Sequence, residues 1–512
     1  MAEREWREAS DMRVSTLGIG SVLLCAAILR FWALGYGIPF AVGIDEPETM
    51  DRVVRIMKTG DFNPHFFDYP SLFIYVQVLV ACTRFLLGAM SGAWRSLSDV
   101  GAADFYLWGR AVTAILGTLT VLLVYRIGMR WGTRHAVLAA ALLALMPLHV
   151  RESHHVLTDV PMTFFTTLTL LLALRAHEKG TLGAFAAAGA SAGLATATKY
   201  PGIMALLFPI MAAYMTRGGD RPRLRPALVA SGMFLAAFLL AAPYTILDLP
   251  AFLDGFGHLA GAVPLGLGSH DPGWLVYLKH LKNAIGWPGL VLMFGGLGLF
   301  LVRVVTGPGQ TRFALVLAFT GAYFALVATR EPVYARYLLP VVPLVCLLIA
   351  VAVVSGVSLL RRFDIPRWAR TALIAALTVA AMLPPAIGAV KFDRMAGRKW
   401  TFAIAFEWIS ANLPAGSRVA LEGHELRLPD ARYRVEYFRR LINSSYEDLA
   451  ESGFDYFVAT SHSYGPAFEK PQQYPEDYSA YRMLFDQGAL LFTVDSSADH
   501  PGPQLRIFQI RR

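Results

Sequence analysis

Apolar runs bounded by short polar junctions fill the first 390 positions of the chain; after Pro385 the pattern changes to short, locally alternating stretches. Runs near 16–34, 70–90, 104–125, 136–150, 156–174, 182–198, 201–216, 227–242, 287–303, 312–328, 335–354 and 370–388 give twelve candidate membrane segments. Continuous runs of about 20 apolar residues are membrane helices, whereas barrel strands alternate. The first run lacks a small-residue cleavage site and opens a series, so it reads as an anchor. Arg/Lys-rich junctions at 126–135, 216–226 and 361–370, more weakly 175–180 and the stretch around Arg303 and Arg312, and the tail arginines Arg4, Arg7 and Arg13 predict the cytoplasmic side. With the tail and 126–135 both inside, one of the three runs between them does not cross. The run 70–90, which starts at Pro70 and carries Gln77 and Arg84, is assigned that role, leaving about 11 transmembrane helices. The predicted fold is an all-α polytopic membrane domain over 1–390. A small soluble α/β domain over 391–512 follows, on the outer side.

Composition agrees. Of 512 residues, 55% are hydrophobic and only 16% charged, against about a quarter charged in soluble proteins. The net charge of +9 resides in the membrane junctions, without the aromatic–basic interleaving of a nucleic-acid surface. Cys25, Cys82 and Cys346 lie in apolar runs and imply neither a disulfide framework nor a cysteine metal site. No phosphate-binding G-x-x-x-x-G-K-[ST] loop is present. The glycines of "GIGSVL" and "GGLGLF" sit in apolar spans, where they suit helix packing.

The polar exceptions carry the chemistry. "VGIDEPETMDRVVRIMKTGDFNPHFFDYPSLF" places Asp45, Glu46 and Asp68 just after the first span. Met50, Val53, Val54 and Met57 follow helical spacing against Asp51, Arg52, Arg55 and Lys58, predicting a short in-plane helix over 46–58. The topology puts Asp45, Asp68, Arg110, Asp159, Lys199, Tyr244 and Arg336 on one side, the outer one. Ionisable groups at membrane level are expensive and usually functional. The long stretch 243–286 is read as a loop carrying His258, His270 and His280. His154 and His155 read as packing or helix-cap residues. Carboxylates beside cations and an apolar wall suit a substrate that is half lipid. A carboxylate takes a proton from an acceptor hydroxyl, and Arg or Lys holds a leaving phosphate, without ATP.

These residues resemble those of membrane-embedded, lipid-carrier-dependent glycosyltransferases of the GT-C class, nearest to the protein O-mannosyltransferase and aminoarabinose transferase group. The matching features are the acidic pair Asp45–Glu46, "DYPSL" at 68–72, Arg110 in "WGRAVTAILG" and Asp159 in "MPLHVRESHHVLTDVPMTFF". "ATKYPG" adds Lys199 and Tyr200, and "RYLLPVVPL" adds Arg336 and Tyr337. Ser71 and Tyr69 depart from the relatives' usual residues in the "DYPSL" motif. The resemblance implies an inverting enzyme of the bacterial inner membrane, with its active site and C-terminal domain facing the periplasm. It moves a sugar from a polyprenyl-phosphate carrier to a hydroxyl of a glycan, lipid or protein. Asp45, with Glu46, is the expected catalytic base. Arg110, Lys199, Tyr200, Tyr244, Arg336 and Tyr337 are expected to bind substrate. Asp68, Asp159 and His270 are the expected ligands of a divalent cation, Mg, Mn or Zn. A polyprenyl-linked oligosaccharide flippase or polymerase, or a secondary transporter, is the alternative.

Overall fold

The computed structural model describes residues 2–40, 45–215, 224–261, 271–307, 310–329, 333–359, 365–423, 425–429 and 431–511. The chain divides into two compact units. The first comprises Met1–Trp32, Glu48–Gly101 and Trp108–Phe392; the second comprises Ala33–Pro47, Ala102–Leu107 and Asp393–Arg512.

The first unit is helical. In chain order its helices are α1 (Ala2–Phe31), α2 (Glu46–Thr59), α3 (Leu72–Met90), α4 (Tyr106–Gly128), α5 (Thr133–Ala144) and α6 (Pro147–Glu152). Then come α7 (Asp159–Lys179), α8 (Leu182–Thr198), α9 (Leu207–Met215), α10 (Leu224–Ala241), α11 (Tyr244–Leu247) and α12 (Leu249–Gly261). The last are α13 (Gly273–Thr306), α14 (Gln310–Ala328), α15 (Val342–Val351), α16 (Val357–Leu359) and α17 (Arg367–Ala396). Among the described residues, eight helical stretches are long and apolar enough to cross a membrane, and four shorter apolar ones accompany them. The stretch 70–90, read from the sequence as non-crossing, contains α3, whose 19 residues have the length and composition of a span. The helix expected over 46–58 is α2; Met50, Val53 and Ile56 form its buried stripe and a Glu48–Arg52 pair lies on its outer face. The stretch 243–286 is not a loop over its described part. It forms α11, α12 and the first half of α13, which is interrupted at Gly286 (φ 68°, ψ 175°) ahead of Pro288.

Small residues set the closest helix contacts. A Cβ on Gly189 or Gly193 of α8 would lie 2.0 Å from the Ala230 carbonyl oxygen or 2.3 Å from that of Phe234, both on α10. Only glycine permits that approach, the small-x-x-x-small device of membrane helices. Helix α15 is buried on every side and forms the centre of the bundle. The fully buried Arg30 of α1 donates to the carbonyls of Ala26, Leu143 and Ala144 and contacts His149 Nδ1, tying α1 to the α5–α6 corner.

The second unit holds a five-stranded sheet of order β2-β1-β3-β5-β4. Its strands are β1 (Arg418–Glu422), β2 (Arg434–Phe438), β3 (Tyr456–Thr460), β4 (Ala489–Val494) and β5 (Leu505–Gln509). Strand β1 runs parallel to β2 and β3, β5 antiparallel to β3, and β4 antiparallel to β5. The helices of this unit are α18 (Thr401–Asn412), α19 (Tyr446–Glu451), α20 (Ser461–Glu469) and α21 (Pro475–Gln487). Alternate strand residues point to opposite faces. Val419, Leu421, Val458 and Ile507 pack with Phe402, Ala405 and Ile409 of α18. Ala420, Phe457, Ala459 and Phe508 pack with Leu449, Tyr464 and Tyr481. Phe40 joins the first of these layers, its ring 5.5 Å from Phe406, so the stretch leaving α1 belongs to this core.

Candidate functional site

Asp159 opens α7 and Lys199 closes α8, and the two meet although 40 positions apart. The Lys199 Nζ donates to Asp159 Oδ1 at 2.7 Å, and both side chains are buried. A helix N-terminus favours the Asp159 carboxylate, and the ammonium supplies the opposite charge that burial demands. Aromatic rings surround the ammonium. Its Nζ lies 4.9 Å from the Tyr337 ring centroid and 5.4 Å from that of Tyr69. The Arg336 guanidinium lies over Tyr334 at 4.9 Å and Tyr337 at 5.9 Å. The turn Ala335–Val341 that holds Arg336 and Tyr337 leads directly into α15. Tyr200, beside Lys199, donates its hydroxyl to the Phe67 carbonyl at 2.8 Å. Asp68 is exposed and within electrostatic range of Tyr200.

Four segments therefore converge: residues 67–69, the start of α7, the end of α8 and the turn before α15. They gather Asp68, Asp159, Lys199, Tyr200, Arg336 and Tyr337 from the sequence-derived set. Arg110 is fully buried near the start of α4. Tyr244 begins α11 within electrostatic range of Tyr75. Asp45 and the fully buried Glu46 belong to the second unit. His270 lies outside the described residues, as does the 216–223 part of the basic junction. Among the described residues, no group of three or more His, Cys, Asp or Glu side chains is disposed to hold a metal ion. Asp159, expected as a metal ligand, carries the Lys199 ammonium as its partner in this structure.

Several neighbours leave no signal in the local sequence pattern. Tyr323 of α14 lies within electrostatic range of Asp159, Tyr277 and Tyr337, which brings α13 and α14 to the same place. On α6, Arg151 pairs with the buried Glu152 at 2.6 Å, and His155 Nδ1 lies 3.8 Å from the same carboxylate. Burial pushes the Glu152 carboxyl up, but His155 and Arg151 more than offset this and hold it at about 2. The ring nitrogens of His154 face the Val150 and Trp32 carbonyls at 2.9 Å and its ring sits edge-on to Phe392. Chemically, the site offers two cations flanked by phenol rings at the ends of apolar helices. That arrangement suits a phosphate carried on a hydrophobic chain.

The sequence profile of dolichyl-phosphate-mannose-protein mannosyltransferases matches residues 106–246, which include Arg110, Asp159, Lys199, Tyr200 and Tyr244. No curated protein matches the sequence. Among solved structures, ArnT from Cupriavidus metallidurans bound to undecaprenyl phosphate is similar with 14% identity and a TM-score of 0.58, over 96% of this chain and 97% of that one. The Archaeoglobus fulgidus oligosaccharyltransferase in complex with zinc and sulfate has 14% identity and a TM-score of 0.58, over 95% of this chain and 72% of that one. The same archaeal enzyme, AglB, in complex with an inhibitory peptide and a dolichol-phosphate, gives 14% identity and a TM-score of 0.56, over 97% and 74%. These likenesses show the fold: a multi-pass helical membrane domain of GT-C-like fold followed in sequence by a smaller α/β unit, as the resemblance implied.

Proposed function

We propose that the protein is an inverting glycosyltransferase that moves a sugar from a polyprenyl-phosphate carrier to an acceptor hydroxyl at the outer face of a bacterial inner membrane. The observation that carries this reading is the Lys199–Asp159 pair boxed by Tyr69 and Tyr337, with Arg336 stacked alongside. Solved proteins of the same fold hold undecaprenyl phosphate and dolichol-phosphate. Lys199 and Arg336 neutralise the carrier phosphate. Arg110, Tyr200 and Tyr244 are further substrate-binding candidates. The acceptor oxygen attacks the anomeric carbon and the bond from that carbon to the carrier phosphate breaks. The electron pair leaves on a phosphate oxygen, where the cations stabilise it. Asp45, oriented by Glu46, takes the proton of the acceptor hydroxyl. Attack opposite the leaving phosphate inverts the anomeric centre. The acceptor is a glycan, lipid or protein.

The zinc in the archaeal structure raises the question of a cation. Asp68 and His270 are the residues we assign to one. Asp159 does not fit that role while Lys199 occupies it, so no step is routed through a metal.

The test is transfer by purified protein in detergent. Polyprenyl phosphate carrying a radiolabelled sugar is supplied without ATP, and label is followed into acceptor, with free polyprenyl phosphate as the second product. Label that stays on a lipid which the protein binds and moves between leaflets of a liposome would overturn the transferase reading in favour of a flippase.

A further inference from the structure

The wall of the site formed by α13 and α14 contains polar atoms that the protein leaves unanswered. Tyr277 is fully buried, and its hydroxyl has no hydrogen-bond partner among the described residues, which is also the sense in which the next two atoms lack one. His280, one turn later on the same helix face, hydrogen-bonds to the Val333 backbone, while its buried Nε2 has no partner. Thr320 of α14, one turn before Tyr323 and Phe324, buries Oγ1 in the same condition. Leaving a buried hydroxyl unpaired costs about 1–3 kcal/mol, and proteins rarely tolerate it without a reason. Two of these atoms belong to Tyr277 and His280 on one helix face, and Thr320 lies one turn before Phe324, whose ring meets that of Tyr277. The Tyr277 ring centroid lies 6.2 Å from that of His280 and 6.3 Å from that of Phe324. Tyr277 lies within electrostatic range of Tyr337 and Tyr323, and Tyr323 of Asp159.

We propose that this wall, with Tyr277 as its central group, recognises the sugar ring of the donor. The inference rests on the glycosyltransferase reading and extends it to the part of the site that tells one donor from another. Its chemistry differs from that of the phosphate end. Lys199 and Arg336 bring formal positive charge, whereas Tyr277, Tyr323, Thr320 and His280 offer neutral donors and acceptors beside aromatic faces. Neutral groups of that kind match a ring bearing several hydroxyls and give a phosphate no charge to pair with. A site built to hydrogen-bond a substrate hydroxyl discriminates strongly, because the wrong ligand leaves buried groups unpaired. The backbone isolates this wall as a separate piece. Residues 273–285, which carry Tyr277 and His280, end at the break at Gly286, beyond which α13 continues as the membrane helix. Gly273 fixes the other end against α14, where an added Cβ would lie 2.4 Å from the Ala328 carbonyl oxygen.

The experiment compares wild type, Tyr277→Phe and His280→Gln in detergent by binding, read by native mass spectrometry and ligand-dependent thermal stabilisation. The probes are undecaprenyl phosphate alone and undecaprenyl phosphate carrying mannose, glucose or arabinose. In the wild type, at least one sugar-bearing lipid is expected to bind on the order of tenfold more tightly than the bare lipid. Tyr277→Phe removes most of that increment and His280→Gln part of it, and both bind the bare lipid as the wild type does. Bare-lipid binding also reports that the variants are folded. The inference is overturned if the wild type gains nothing from the sugar, or if Tyr277→Phe keeps the increment, as it would where only buried water answers these atoms. Loss of bare and sugar-bearing lipid to the same extent would overturn it too, by making Tyr277 a packing residue. A wild type that binds neither lipid counts against the function itself as well, and so separates the two failures.

Discussion

Deleting the Asp159 carboxylate strands the Lys199 ammonium among phenol rings with no counter-charge. Deleting the ammonium strands the carboxylate. Breaking a buried pair from one side costs roughly 3–5 kcal/mol, and removing both charges costs far less. We therefore expect D159N and K199Q each to lower the melting temperature in detergent, and the D159N/K199Q double variant to recover most of the loss. Affinity for undecaprenyl phosphate stays low in K199Q and in the double variant. A double variant that binds the lipid normally would reduce the pair to a structural brace. In the second unit, Glu422 supplies a pH prediction. Its buried carboxylate accepts from the Leu441 and Thr460 amides and from the Tyr481 hydroxyl. Burial still raises its pKa above the ordinary glutamate value. A raised folded value means the group's stabilising contribution is complete in acid, below the unfolded value of about 4.3, and is lost as pH climbs through the folded value. The melting temperature of wild type minus that of E422Q should fall as pH rises above that range; a flat difference would remove Glu422 as the titrating group. Lys199 and Arg336 were legible as site residues because a cation at the end of an apolar run is conspicuous. Their partners were not. A tyrosine in an apolar helix such as "GWLVYLKHLK" reads as core whether its hydroxyl meets a substrate or a neighbour. Nothing in local pattern couples position 159 to 199.

At the scale of elements, hydrophobic period identifies long helices well and short ones poorly. The stretch 243–286 reads as a loop because glycine and proline crowd it, yet its described part is helix up to the Gly286 break. Phe252 and Phe256 explain how α12 is held: their rings pack against Tyr200, and Phe252 also meets Phe67. Those contacts are tertiary and leave no periodic signal in so short a helix. The break in α13 was equally hidden, since proline in an apolar run signals a kink without giving its geometry. Gly286 combines a left-handed backbone with a neighbour: an added Cβ would lie 2.8 Å from Pro384 Cγ. A positive φ with an extended ψ, a region essentially reserved to glycine, costs any other residue on the order of 1–3 kcal/mol, and Pro384 must also shift. G286A should therefore melt clearly below wild type. G232A is the control: in α10 nothing lies within 4 Å of an added Cβ, and alanine favours helix over glycine by up to about 1 kcal/mol. It should melt at or slightly above the wild-type temperature. Equal behaviour of the two variants would mean that the break is not a fixed part of the fold.

For the whole molecule, the membrane class and the presence of a second, soluble unit were legible from the change in pattern after Pro385. The share of that unit taken by Ala33–Pro47 was not, because its attachment through Phe40 to α18 is a long-range contact. The sidedness of the chain turns on α3. Its 19 residues have the length and composition of a span, whereas the arginines argue that it does not cross. Arg126, Arg130 and Arg134 cluster at the end of α4 and the start of α5, which the positive-inside rule places in the cytoplasm. If α4 crosses, its two ends lie on opposite sides, so residues near 98 lie outside when 126–134 lie inside. The N-terminal arginines Arg4, Arg7 and Arg13, placed inside by the same rule, then require α3 to enter and leave on the same face. Single cysteines at Ser98, Met129 and Met483, in a background with Cys25, Cys82 and Cys346 replaced, make this measurable with an impermeant maleimide. All three positions are exposed. We expect S98C and M483C to react in intact cells and M129C only after permeabilisation. S98C and M129C must differ whichever way the chain is inserted, which checks that α4 crosses. Protection of S98C with reaction of M129C would make α3 a span and put three arginines on the outer face. Protection of M483C would place the sheet domain in the cytoplasm and remove it from any role in meeting an external acceptor.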